Sequence, residues 1–336
     1  MNHYTLKKIV GKGLRYSGAH DLLLLLSSFS RKKRITILMY HRIGYPKKTS
    51  LDSRVFTATP SQFEEQMKFL AKNCNVISFK DLMEKKKLPQ NSVLITFDDG
   101  YADNFSVAYP ILKKYELPAL ISLASGHIGN DELFWWDKVA YIIKNTKEKR
   151  ISVHELGQVS LRDKENAIQT IVERLKRINN GKKLIILKQL AKRAKVTIPK
   201  LSHIFLSWED VRSMSSNKIT FGAHTVTHPI LTQMTFSEAQ AEILESKKTI
   251  ERHTQKPVFV FTYPNGQKQD ISKDLDEWMS RQGFFCALST RYGSNTKLAF
   301  NLKRVPIEID DPIEMFVIKV TGLGEFFAPI YARFFG

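Results

Sequence analysis

Cysteine is scarce: Cys74 and Cys286 are the only two in 336 residues, and neither lies in a CxxC pair. Two separated thiols exclude a disulfide-stapled scaffold and a thiolate zinc ribbon, and they leave a reducing compartment open. Long apolar runs are missing as well. The leucine run at 22–26, set between basic residues, falls far short of the ~20 residues of a spanning helix, which excludes a multi-span membrane protein. No small-residue cleavage site follows it, so it makes a poor secretory signal. Internal repeats, low-complexity linkers, zinc-finger spacing and RNA-binding aromatic motifs are absent, which argues against nucleic acid as a partner. Acidic residues are few beside basic ones, 33 against 52, for a net charge of +19.

What is present reads as a soluble globular chain, 43% hydrophobic and 25% charged. The charge is localised. Residues 1–34 hold eight basic side chains and one acidic, and residues 144–200 hold sixteen and five. A near-neutral body therefore carries two basic attachments, a pattern suited to an anionic membrane surface or an anionic, lipid-linked substrate. The segment 1–34 reads as a basic amphipathic stretch, packed on the body or lying on a membrane. The apolar C-terminal segment 311–336, with Phe316, Val317, Val320, Leu323, Phe326 and Phe327, is expected to pack on the body or touch a membrane.

Between these ends, β-branched and apolar runs predict strands at 35–40, 76–79, 93–97, 119–123, 219–223, 258–262 and 285–289. Helical spacing predicts helices at 60–70, from 100 to 115, at 237–252 and at 272–282. This alternation over 35–310 predicts an α/β fold with a parallel sheet or barrel. Residues 133–205 interrupt it. Ile168, Ile171, Val172, Leu175 and Ile178 keep helical spacing, as does 184–190, so the interruption is expected to be a basic helical insertion.

The polar residues gather where strands end, the position of active sites in parallel barrels. Asp98 and Asp99 are adjacent in the turn after 93–97, so one can hold a metal while the other faces a water. His224 and His228 are four apart after 219–223. Gly222, three β-branched residues and Pro229 favour a loop or single turn over a long helix. One Asp with two His makes a plausible three-ligand metal site, with the second Asp as candidate base. The reaction class is hydrolysis of an amide or ester.

The motifs TFDDGYADN at 96–104, FGAHTVTHPIL at 221–231 and FTYPNG at 261–266 resemble the polysaccharide deacetylase family, carbohydrate esterase family four, with its NodB homology domain. The resemblance covers about 35–306 without the insertion. It implies a distorted (β/α) barrel and metal-dependent removal of acetyl groups from N-acetylated sugars. By motif match it makes Asp98 the general base, and Asp99, His224 and His228 the ligands of one divalent metal, expected to be zinc. It gives the backbone N–H of Asn265 to the oxyanion. Two departures stand out. The third motif lacks the arginine that orients the base in many members, so Arg304, from a later strand, is the candidate. No histidine lies beyond His253, so the candidate acid is His41, at the end of the first strand, as in a permuted branch of exported biofilm-glucosamine deacetylases.

Remaining candidates carry less weight. His127 either lines the cleft or serves a turn. Trp135 and Trp136 either stack on a sugar or anchor the insertion. His154, His203 and His253 read as surface or structural. The expected function is a metal-dependent hydrolase of linear amides that removes N-acetyl groups from GlcNAc-type sugars of a surface polysaccharide or lipid-linked glycan. Its expected role is in cell-envelope polysaccharide biosynthesis. The expected place is cytoplasmic, peripheral on the inner face of the membrane. Rival readings are a deformylase or O-deacetylase on a lipid-linked sugar, and a catalytically silent glycan- or membrane-binding protein on the same scaffold.

Overall fold

The computed structural model describes residues 34–84, 88–130 and 132–322. The segment 1–33 and the residues from 323 onward, with Leu323, Phe326 and Phe327, lie outside these.

Seven apolar strands form the centre: β1 (Ile35–Tyr40), β2 (Ser92–Phe97), β3 (Ala119–Leu123), β4 (Ile219–Ala223), β5 (Val260–Thr262), β6 (Cys286–Tyr292) and β7 (Asn301–Pro306). Each pairs in parallel with its neighbours, and β1 pairs with both β2 and β7, so the sheet closes into a barrel. Strands β1, β2 and β3 are buried along their whole length, as expected when both faces of a parallel sheet are covered. Side chains alternate across a strand. Ile37, Leu94, Leu120, Val260, Leu288 and Leu302 share one apolar cluster, with Phe79 and Leu82 of a short helix. Leu38, Ile95, Ile121, Phe221, Phe261 and Val305 belong to the other, which includes the surrounding helices.

The helices around the barrel are α1 (Pro60–Asn73), α2 (Phe79–Met83), α3 (Tyr109–Lys114), then α4 (Trp135–Asn145), α5 (Lys164–Leu175) and α6 (Asn180–Ala194) of the insertion, and α7 (Trp208–Ser215), α8 (Phe236–Thr254), α9 (Lys273–Arg281) and α10 (Ile313–Thr321). The strand expected at 76–79 is only two residues long, at Asn75–Val76. Ser78 instead caps α2, with reciprocal hydrogen bonds to Asp81, because a capping box competes with extended backbone. The stretch after Gly100 is a π-helical turn, Asn104–Ala108, before α3.

The insertion has its own core, in which Val139 and Ile143 of α4, Ile168 and Ile171 of α5, and Ile186 and Leu190 of α6 meet. It is not wholly helical. Arg150–Val153 and Gly157–Ser160 pair as an antiparallel hairpin, whose short alternation of buried and exposed residues is weak beside the helical periods that flank it. The described part of the C-terminal segment packs on the barrel side: Phe316 meets Phe69 edge to face at 6.1 Å. No helix among the described residues is long and apolar enough to cross a membrane.

Candidate active site

Period-two alternation carries the barrel's inward face from apolar to polar at its C-terminal end. Thr96, Ser122, Thr262 and Arg304 are all buried. The Ser122 and Thr262 hydroxyls lie 2.7 Å apart, and Ser289 Oγ donates to the Leu302 carbonyl. Arg304, 0% exposed, donates from Nε to the Ser289 carbonyl at 2.9 Å. Its Nη1 and Nη2 donate to Asp98 Oδ1 and Oδ2 at 2.8 and 2.7 Å. This fork is the bidentate geometry that suits guanidinium to carboxylate. Burial pushes the Asp98 carboxyl up, but the Arg304 charge and hydrogen bonds outweigh it and hold Asp98 below its usual range. His41, beyond β1, puts Nε2 3.8 Å from Asp98 Oδ2 on a partly open side.

Asp99 turns the other way because the chain enters the left-handed region there, at φ +76°, followed by Gly100 at +84°. Its Oδ1 stands 3.4 Å from both His224 Nε2 and His228 Nε2. The atom is buried without a hydrogen-bond partner among the described residues, which is costly unless something else meets it. The fit to a metal is good: a tetrahedral ion with bonds of about 2.0–2.1 Å spaces its ligand atoms about 3.4 Å apart. His224 Nδ1 is 2.7 Å from the Thr262 carbonyl, which fixes Nδ1 as the protonated nitrogen and turns the Nε2 lone pair toward Asp99. Burial lowers His228 to about 4, so it is neutral at pH 7 and able to ligate. Burial also pushes His224 down, but the Asp99 and Asp98 carboxylates outweigh it and raise it. The two imidazoles likewise hold Asp99 well below its usual range, against the effect of burial.

The histidine loop is irregular. Thr225 and His228 take φ +66° and +57°, a strained choice for a β-branched residue. Thr225 Oγ1 accepts from the His228 N–H at 3.0 Å. Glu242 of α8 receives the N–H groups of Val226 and Thr227 at 2.7 and 2.9 Å, and the Thr227 hydroxyl at 2.7 Å. Gly222 has no room for a side chain, since a Cβ there would meet Val260 Cγ1 at 2.8 Å.

Asn265 sits at φ +58° in the turn after β5. Its side chain donates to Asp270 at 2.5 Å, and its carbonyl accepts from Thr290 Oγ1 at 2.7 Å. It lines the same cavity, of about 340 Å³, as His41, Asp98, Asp99, His224 and His228. The structure thus brings six of the seven candidates around one cleft, with Arg304 behind Asp98. Glu308, Asp310 and Asp311 form a second acidic group, but Lys319 pairs with Glu308 and Asp311.

Residues 85–284, more than half of the chain, match the family profile described as polysaccharide deacetylase. The chain belongs to the polysaccharide deacetylase family. Members are hydrolases acting on amides. A stretch of 116 residues is 34% identical to the poly-beta-1,6-N-acetyl-D-glucosamine N-deacetylase of Staphylococcus aureus, covering 31% of this chain and 40% of that protein. The match therefore spans less than half of that relative. Among solved structures, the Streptococcus pyogenes deacetylase PplD in complex with acetate aligns with a TM-score of 0.57 at 19% identity, over 86% of this chain and 99% of that one. IcaB from Ammonifex degensii aligns with 0.57 at 18% identity, over 86% and 97%. At such identities the likeness establishes the fold: a polysaccharide-deacetylase barrel.

Apart from Trp135 and Trp136, which the sequence already offered, several site residues were not legible in sequence. The cleft is also walled by Asp52, Arg54 and Val55, by Trp135 and Trp136 of α4, and by Val172, Glu173 and Lys176 of α5. Trp136 sets its ring edge-on to His228 at 4.6 Å and donates from Nε1 to Tyr101 Oη at 3.0 Å. Tyr101 in turn donates to Asp137 Oδ2 at 2.8 Å, and the Asp52 N–H donates to Asp137 Oδ1 at 3.0 Å. One signal existed: Asp137 is a carboxylate among Trp136, Val139, Ala140 and Ile143 on the buried face of a helix. His127 packs on Phe134 at 4.0 Å and sets Nδ1 2.7 Å from the Glu132 carbonyl, as a structural group. His253 stacks on Trp208 at 3.9 Å, and His154 and His203 are exposed.

Proposed function

We propose that this protein is a metal-dependent N-deacetylase of GlcNAc-type sugars in a surface polysaccharide or lipid-linked glycan. The observation that carries the reading is the pairing of an Arg304-clamped Asp98 with the Asp99–His224–His228 triangle in one cleft. The printed activity of the S. aureus relative supports the GlcNAc class. The convergence of these side chains argues against a catalytically silent scaffold.

Asp99, His224 and His228 would hold a divalent metal, zinc by the choice of N and O donors, which supplies Lewis acidity to a carbonyl oxygen and to water. Asp98 accepts the proton of the attacking water. Held low by Arg304, it is a weak base, so it works on a water that is itself acidified. Each Asp98 oxygen keeps a second lone pair beyond its bond to Arg304. The Asn265 N–H donates to the oxyanion of the tetrahedral intermediate, a contribution of about 3–4 kcal/mol in comparable sites. His41, across Asp98, protonates the leaving amine.

The test follows acetate release from N-acetylglucosamine oligomers by wild type, His224→Ala, Asp98→Asn and His41→Ala. His224→Ala is expected to lose both stoichiometric metal and activity. Asp98→Asn is expected to keep metal and lose activity, and His41→Ala to lower turnover more than metal binding. Release of formate or of ester-bound acetate, with acetamides untouched, would favour the deformylase or O-deacetylase reading instead. Full activity in Asp98→Asn would reject the mechanism.

We further propose peripheral association with an anionic leaflet of the membrane. On α6, Leu184 and Ile185 are 55% and 57% exposed, beside exposed Lys182, Lys188, Lys192 and Arg193. Apolar residues set within a basic helix face suit a headgroup layer of opposite charge.

A further inference from the structure

The two tryptophans at the start of α4 do different things. Trp136 is 7% exposed, hydrogen-bonded to Tyr101 and edge-on to His228, so it anchors the insertion to the metal-ligand candidates. Trp135 is only partly buried and lines the cleft. Its ring is held from the insertion side. Trp136 meets it edge to face at 5.3 Å, and Lys183 of α6 places Nζ 4.6 Å from its centroid. Lys183 is itself 2% exposed, and its Nζ donates to Asn180 Oδ1 at 3.1 Å. A buried lysine placed over an indole fixes that ring in position.

The rest of the wall near Trp135 is polar but balanced in charge. Arg54 is clamped on Asp52, with Nε and Nη2 at 2.9 and 2.6 Å from the two oxygens. Lys176 pairs with Glu173 at 2.8 Å. Each cation faces its own carboxylate, so this wall offers no surplus charge to a phosphate or a uronate. It offers an aromatic face with fixed donors and acceptors beside it, which suits a neutral pyranose: C–H groups on the ring face, hydroxyls on the rim.

We propose that Trp135, with the Asp52–Arg54 and Glu173–Lys176 pairs, forms a subsite for a neutral sugar ring adjoining the one that is deacetylated. The inference rests on the deacetylase reading for its name. The subsite itself is a binding site that can be measured without turnover. The helical insertion is thus the specificity element of the cleft, and Trp135 is its platform.

The experiment combines kinetics with tryptophan fluorescence. The probes are N-acetylglucosamine, its β-1,6- and β-1,4-linked di- and trisaccharides, and N-acetylglucosamine 1-phosphate. Wild type is expected to show a lower KM for the disaccharides than for the monosaccharide, and a fluorescence response to the disaccharides. Trp135→Ala is expected to raise the disaccharide KM about tenfold, the scale of one ring contact, with kcat and the monosaccharide KM within about twofold. Trp135→Phe, which keeps a smaller face, is expected to restore part of the affinity while losing the fluorescence response. An unchanged disaccharide-to-monosaccharide KM ratio in Trp135→Ala would overturn the subsite and leave the deacetylase reading standing. Tighter binding of the 1-phosphate than of either disaccharide would overturn its neutrality. A wild type that releases no acetate from any probe but answers disaccharide through Trp135 would sustain the subsite and reject the deacetylase reading. Neither acetate release nor a fluorescence response would reject both.

Discussion

Arg304 is a fully buried guanidinium with partners for Nε, Nη1 and Nη2. Its fork holds both oxygens of Asp98, and removing the guanidinium leaves the buried Asp98 carboxylate as an uncompensated charge, which costs about 3–5 kcal/mol. Arg304→Met is therefore expected to lower unfolding stability by about that amount in urea titrations. The double variant Arg304→Met/Asp98→Asn is expected to regain most of it, because both charges are gone, while remaining inactive. Asp137 is the opposite case, a buried carboxyl with no cation on its own oxygens among the described residues. Burial raises it to about 7 from an ordinary 3.8. In the unfolded chain it ionises near pH 4, while in the folded protein it keeps its proton to near pH 7. Its contribution to stability is therefore present at low pH and lost as pH rises through that window, by about 1 kcal/mol per pH unit. Asp137→Asn removes that slope, and denaturation curves at pH 5, 6, 7 and 8 for the two proteins measure it. Parallel slopes would place the proton elsewhere.

At the scale of elements, the residue after β1 and the loops after β2, β4 and β5 hold the chemistry, and the histidine loop is set by a feature outside its motif. The histidine loop depends on Glu242, which ties two of its N–H groups and one hydroxyl to α8. Glu242→Ala is expected to weaken metal affinity about 10–100-fold, the usual scale for a group that orients ligands, with the melting temperature little changed. Calorimetric titration with zinc measures the first and a thermal scan the second. Equal affinity in variant and wild type would show that the loop holds itself. The barrel strands were legible because parallel strands buried on both faces read as continuous apolar runs. The hairpin at 150–160 and the capped turn at Ser78 were not, because four-residue strands and single capping boxes carry too short a pattern to outweigh their neighbours.

For the whole molecule, the basic attachments predict behaviour that catalysis at a neutral acetamide does not need. Co-sedimentation with vesicles is expected to require anionic lipid and to fall steeply with added salt, since charges near a surface act over a Debye length of ~10 Å. Removing 1–34, or replacing Leu184 and Ile185 with glutamate, is expected to weaken it. Equal binding to neutral and anionic vesicles, or none to either, would reject membrane docking and leave the site untouched. The insertion also joins this surface to the cleft, because α6 carries Lys183 behind Trp135 and Leu184 on its outer face.

By itself the sequence determined the strand–helix alternation, the barrel class and the motif residues Asp98, Asp99, His224 and His228. These are local patterns: apolar runs, and polar groups at their ends. It also brought Arg304 and His41 forward, but as candidates from opposite ends of the chain. Only closure of the barrel decided their place. The β1–β7 pairing aligns Leu38 with Val305, and the β1–β2 pairing aligns Tyr40 with Phe97. That register puts the residue after β1, the residue after β2 and an inward residue of β7 around one point. Glu242, Asp137 and the Trp135 wall were decided there too. A carboxylate on a helix, or a tryptophan beside another, acquires its role from what packs against it, and those partners lie far off in the chain.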